Sequence, residues 1–190
     1  VGPKPPAARG KRVVPKVSGA SGAGSDLPAP RPVEVTLDFI DRGRSSPVFA
    51  EGRQIYLAAT LSRTAYLACW YLDSENRISR IFPNPFQPSS LVPGQREIRL
   101  PDTMAANQGF AIIGRKPGPE SVRCYAGETD LMASLPPIWK GPPIASLGDA
   151  LGFDRLQDDL AQVRRTGALG SATLGWEVVP KGEPVRPARP

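Results

Sequence analysis

Along residues 33–39, Val33, Val35, Leu37 and Phe39 alternate with Glu34, Thr36 and Asp38, the period of two that marks a strand with one buried face. The alternation returns after the Arg44-Ser45-Ser46-Pro47 breaker and Gly52, where Ile55, Leu57, Ala59 and Leu61 interleave with Tyr56, Ala58 and Thr60. Ser62-Arg63-Thr64 is short enough to join this strand to the next as a hairpin. The next run is apolar in both phases, with Tyr66, Ala68, Trp70 and Leu72 in one and Leu67, Cys69 and Tyr71 in the other. A strand without a polar face belongs in the middle of a covered sheet. Asp73-Ser74-Glu75-Asn76 is a polar turn, and residues 77–82 resume extended structure. Pro83, Pro85 and Pro88 then stop it, since each lacks a ladder donor.

Beyond the Pro93-Gly94 turn, residues 96–100, 110–114 and 121–126 are short strand candidates bounded by proline or glycine. One helix interrupts them late. Asp154 and Gln157 have capping-box spacing, Leu156, Leu160 and Val163 form an i, i+4, i+7 stripe, Arg164 and Arg165 complement the C-terminal dipole, and Gly167 can close the element. Leu147 and Leu151 extend its apolar face. Residues 173–179 form a last strand that Pro180 ends. Six to eight short strands and one late helix predict a mainly β, β-sandwich-like antiparallel domain over residues 33–180.

Composition divides the chain further. Residues 1–32 hold seven prolines and a net charge of +5, with Lys4, Arg9, Lys11, Arg12, Lys16 and Arg31 against Asp26 alone. The last ten residues add +2, so the whole-chain surplus of +6 belongs to the ends and residues 33–180 carry −1. A folded nucleic-acid reader places its positive charge on the folded surface, so the pI near 9.7 does not point to specific nucleic-acid binding. Pro-rich, basic, aromatic-free segments bury too little apolar surface to offset their ordering entropy. Residues 1–32 and 181–190 are therefore expected to be extended arms, either solvated linkers or segments that dock on a partner or an anionic surface. Their candidate contacts are Lys4, Arg9, Lys11, Arg12 and Lys16. No apolar stretch reaches the ~20 residues that span a bilayer. Val1 opens no charged, apolar and small-residue leader, the start expected of a mature or excised chain. The chain contains no histidine, which removes the commonest general base and transition-metal ligand.

The strand Tyr66-Leu67-Ala68-Cys69-Trp70-Tyr71-Leu72-Asp73, the Ile81-Phe82-Pro83-Asn84 corner, Leu91-Val92-Pro93-Gly94 and then Ile98 to Pro101 give the chain a family likeness. Over roughly residues 50–130 it resembles the bacterial domain-of-unknown-function 4384 family, with Phe82, Pro83 and Asn84 as its best-matched positions. The resemblance implies a β-rich accessory module in a bacterial setting, of the kind found beside protein kinases, in envelope lipoproteins and in secretion-associated proteins. It carries over no catalytic residue. An envelope setting permits oxidation, so a Cys69–Cys124 disulfide is the favoured expectation over two buried thiols acting as small apolar side chains.

Other candidate chemistry has structural explanations. Asp38 with Asp41, Asp73 with Glu75 and Asp158 with Asp159 are local pairs that fit a strand end, a turn and a helix better than an acid–base couple. Residues 73–76 lack the central glycine and twelfth-position glutamate of a calcium loop. The Gly-rich residues 19–24 and 167–175 lack the Lys-Ser/Thr ending of a phosphate loop. Trp139, between Pro136-Pro137 and Pro142-Pro143, is expected to cover the core, with partner docking as the alternative. The combined expectation is a non-enzymatic structural or adaptor module without cofactor or metal, its arms docking on protein subunits of an assembly in the bacterial periplasm or envelope. The rival expectations are a sensor or ligand-binding domain tethered to a signalling protein such as a kinase, and polyanion binding through the basic arms.

Overall fold

The computed structural model describes residues 2, 31–40, 48–107, 110–141, 147, 153–164 and 168–182. Strands β1 (Val35–Phe39), β2 (Val48–Ala50), β3 (Gln54–Ile55), β4 (Leu57–Leu61), β5 (Ala65–Leu72), β6 (Ile78–Phe82), β7 (Leu91–Val92) and β8 (Ile98–Leu100) come first. Helix α1 (Thr103–Asn107), β9 (Ile112–Ile113), β10 (Gly118–Gly127), α2 (Leu131–Ser134), a 3-10 turn (Pro137–Lys140), α3 (Phe153–Arg164) and β11 (Gly170–Val179) follow. The chain is mainly β, as its alternating pattern predicts.

The largest sheet has the order β2-β11-β10-β5-β6, with β7 also on β5. All its pairs are antiparallel except β11 with β2. A three-stranded sheet, β1-β4-β8, and the small β3-β9 pair complete the β structure of the described residues. One core contains Leu37, Leu57 and Leu100 from the smaller sheet together with Leu67, Val122 and Val178 from the large one. The second core lies on the other face of the large sheet, where Ala68, Trp70 and Tyr125 meet Leu131, Trp139, Leu156 and Leu160. Strand β5 therefore has an apolar layer on each side, which accounts for its lack of a polar phase.

Four local expectations change. The Ser62-Arg63-Thr64 link is not a hairpin: β4 pairs β1 and β8, whereas β5 pairs β10, β6 and β7, so the link passes between sheets. Its backbone is held elsewhere, with Ser62 N–H donating to Glu34 O at 3.0 Å and Gln95 N–H to Leu61 O at 2.7 Å. Gly94 is needed opposite this link, because a Cβ there would lie 2.4 Å from Arg63 Cα. The single strand expected over residues 55–61 is interrupted at Tyr56, its two parts pairing with β9 and with β1 and β8. Asp154 lies inside α3 rather than ahead of it. Strand β10 starts earlier than residue 121 and runs through Pro119, which is tolerated because β5 pairs with β10 only from Ser121 onward.

Candidate functional site

The two cysteines stand opposite one another in the β5–β10 register and form a disulfide between fully buried positions. They are covalent core. Phe82 is buried, and Asn84, only 3 % exposed, organises the corner that follows it. Its amide nitrogen donates to Ile81 O at 2.8 Å, and its Oδ1 accepts the Phe86 and Gln87 N–H groups at 2.9 Å each. The Phe82-Pro83-Asn84 corner thus satisfies its own backbone, an architectural role. Trp139 is completely buried, edge-on to Trp70, with its Nε1 donating to Asp159 Oδ2 at 2.5 Å. Its indole fills the second core and is enclosed. Lys4, Arg9, Lys11, Arg12 and Lys16 lie outside the described residues, as does Asp41. Among the described residues no helix is long and apolar enough to cross a membrane.

The expected acidic pairs are occupied by local structure. Asp73 Oδ1 accepts the Glu75 and Arg77 backbone N–H groups at 2.9 Å each, while Oδ2 takes Arg77 Nε at 2.8 Å. Glu75 receives Arg77 Nη2 at 2.6 Å and is also paired with Lys116. These contacts hold the β5–β6 turn, in which Asn76 has a φ of 60°. Asp158 is exposed on α3, while its neighbour Asp159 anchors Trp139.

What the turn does is roof a cavity of about 240 Å³ at that end of the large sheet. Tyr71 of β5, Ile81 of β6, Phe110, Ile112 of β9, Arg115 and Glu120 of β10 contribute to its lining. Ser74 ties the roof to the opposite loop by donating from Oγ to Lys116 O at 3.0 Å. Glu120 is the unexpected member. It shares the inward phase of β10 with Val122 and Cys124 and is 3 % exposed, in a position that alternation reserves for an apolar residue. Trp176 Nε1 of β11 donates to Glu120 Oε2 at 2.9 Å, and Trp176 stacks on Tyr71 at 5.9 Å with nearly parallel rings.

Among the described residues no donor meets hydrogen-bond geometry at Glu120 Oε1. Burial pushes the Glu120 carboxyl above the ordinary glutamate range; Tyr71, Trp176 and the Ser74 backbone partly oppose this, and Asp73 reinforces it. Tyr71 is pushed upward by its own burial and then by the Glu120 charge. The arrangement is a small, partly open cavity with aromatic and aliphatic walls and a buried carboxyl group in its lining.

Neither Glu120 nor Trp176 was singled out by sequence patterning. The strand expected over residues 121–126 stopped one position short of Glu120. Carrying its phase back through Cys124, Val122 and Glu120 would have exposed a carboxylate in an apolar row. Tyr71 was legible only as core, which it partly is.

No curated protein matches this chain. A family model described as "Domain of unknown function (DUF4384)" matches residues 48–130, from the start of β2 to the N-cap of α2, and so spans the disulfide, the Phe82-Pro83-Asn84 corner and Glu120. Through that central segment the chain resembles the DUF4384 family.

Proposed function

We propose that this chain is a non-enzymatic structural or adaptor module of a bacterial cell-envelope or secretion-associated assembly, with the basic arms at residues 1–32 and 181–190 docking on partner subunits. The observation that carries this reading is the Cys69–Cys124 bond between two central strands. Disulfides persist in oxidising compartments and are rare in the reducing cytosol, so the bond supports a periplasmic or envelope setting. Alkylation of intact cells followed by denaturation tests the setting: both thiols should resist labelling until reductant is added. Labelling without reductant would exclude it. Cross-linking in the native envelope tests the adaptor role. Partner cross-links should be lost when residues 1–32 are deleted, and their persistence would remove the arms from the mechanism.

A second reading, a ligand-binding or sensor domain tethered to a signalling protein, is favoured by a different observation: the cavity at the β5–β6 turn has Tyr71, Ile81, Phe110, Ile112 and the buried Glu120 in its lining. A cavity with apolar walls and a buried titratable group among them is a candidate binding site. Saturable binding of a small molecule, read at the Trp176 indole resonance, is expected under this reading. A pocket silent to every chemical class of probe would end it.

A further inference from the structure

Charges around the cavity pair off unevenly. Asp73 accepts Arg77 Nε at 2.8 Å besides its backbone N–H donors, and Glu75 takes Arg77 Nη2 at 2.6 Å and pairs with Lys116. The roof is thereby balanced within itself. Glu120 is buried behind the wall, where Tyr71, Trp176 and the Ser74 backbone hold its carboxyl group with neutral donors. Arg115 is the group left over. It lines the cavity and is exposed, and among the described residues it meets no carboxylate. Its charge opposes the upward push on the Tyr71 hydroxyl, so the guanidinium is directed at the cavity. Ile81, Phe110 and Ile112 supply the apolar part of the lining.

We propose that this cavity binds a short aliphatic carboxylate, its oxygens on the Arg115 guanidinium and its carbon body on Ile81, Phe110 and Ile112. The proposal rests on the ligand-binding reading and gives it a chemical class. A guanidinium presents a planar fork of donors that matches both oxygens of a carboxylate, which an alcohol does not. An ammonium ion would meet Arg115 as a like charge and find Asp73 and Glu75 already engaged. At about 240 Å³ the cavity suits a body of a few carbons rather than a drug-sized one.

Proton linkage gives the proposal a signature. The titratable or charged groups around the bound anion are Tyr71 from β5, Asp73, Glu75 and Arg77 from the following turn, Arg115 and Lys116 from the loop before β10, and Glu120 itself. Burial favours the protonated Glu120 carboxyl in the free protein, and a neighbouring anion favours it further. A ligand that raises this pKa binds the protonated form more tightly, so affinity for the ionised carboxylate should fall as pH rises through the Glu120 titration.

The test is titration of the whole 190-residue chain with butyrate, acetate, n-butanol and n-butylamine, read at the Trp176 indole N–H resonance. Butyrate should saturate the shift, and its affinity, expressed per ionised butyrate, should fall with rising pH. Acetate, which lacks the carbon body, should bind several-fold more weakly. Arg115→Gln should weaken butyrate roughly tenfold or more, the loss of its charge-assisted hydrogen bonds. Arg99→Gln, at an exposed arginine outside the lining, should not. Butanol or butylamine binding as tightly as butyrate, or butyrate binding that survives Arg115→Gln, would overturn the carboxylate class and leave a ligand pocket in place. Acetate matching butyrate, or affinity that stays flat or grows with pH, would put the anion on the outer surface and overturn the cavity site. No response to any of the four probes would overturn the class and the ligand-binding reading together. The probe series and the pH dependence are measured on the unaltered protein, so the proposal is decided even if Arg115→Gln fails to fold.

Discussion

Two tryptophan–carboxylate pairs lie on opposite faces of the large sheet, and they differ in how deeply the carboxylate is buried. Trp139 donates to Asp159 on the helix side; Trp176 donates to Glu120 on the side of the smaller sheet. Asp159 is a half-buried residue on α3, where its carboxylate can keep water while it fastens the helix to the 3-10 turn beneath. Glu120 is on an interior strand position, so the same type of bond lies within the protein interior, next to a cavity. One pair closes a packing seam and the other holds a carboxyl group away from water. The same type of hydrogen bond thus serves a half-buried carboxylate on one face and a buried one on the other, where desolvation makes its loss costlier.

The comparison is tested most severely through the sheet that both faces share. Replacing Cys69 and Cys124 together by alanine opens a link between residues 55 positions apart in sequence. Loss of that constraint should cost about 4 kcal/mol, measured by urea unfolding with tryptophan fluorescence. Both faces should unfold together; a loss confined to one face would mean that the sheet does not couple them.

Leu156→Ala acts on the helix side alone. Leu156 is fully buried in the second core, and its truncation should cost about 3 kcal/mol while leaving the Trp176 indole resonance in place. Movement of that resonance would show that the two layers are not independent. Next in size is the contrast between the pairs themselves. Trp176→Phe removes the donor from a buried carboxyl group and should cost about 2 kcal/mol. Trp139→Phe leaves a carboxylate that water can serve, so the hydrogen-bond part of its cost should be nearer 1 kcal/mol. Equal losses after correction for ring volume would erase the distinction.

The smallest expected effect is a slope. The folded-state pKa of Glu120 is raised by burial above the ordinary value of 4.5, so its contribution to stability is fully present below that value and is lost as pH rises through the raised one. The stability of the wild type relative to Glu120→Gln should decrease across that window, in chemical denaturation repeated over pH. A difference that stays flat or grows would contradict the buried state of this carboxyl group.

Local pattern made much of this fold legible. The alternation at residues 33–39, the two-sided apolar run of β5 and the Leu156, Leu160, Val163 stripe all place their side chains as expected, because each depends only on strand or helix periodicity. The short α1, α2 and 3-10 elements were not legible, since they are shorter than the window in which helical periodicity becomes visible. The Ser62-Arg63-Thr64 link looked like a hairpin because loop length was the only information available. Its actual course follows from β4 satisfying its edges with β1 and β8, which are distant in sequence. Glu120 escaped for a related reason: a strand end read from Pro119 hid a carboxylate that only the β10–β11 pairing draws into the interior.

By itself the sequence determined most of the longer strands and their apolar faces, the place of the late helix and how charge divides between the ends and the body. Those properties follow from side-chain periodicity and composition along a single segment. Tertiary structure alone decided that Cys69 and Cys124 stand in register, that β4 and β5 enter different sheets, and that Glu120, Tyr71 and Trp176 converge on one cavity. Each of these depends on pairing between strands far apart in the chain, and periodicity within a strand does not specify its neighbour.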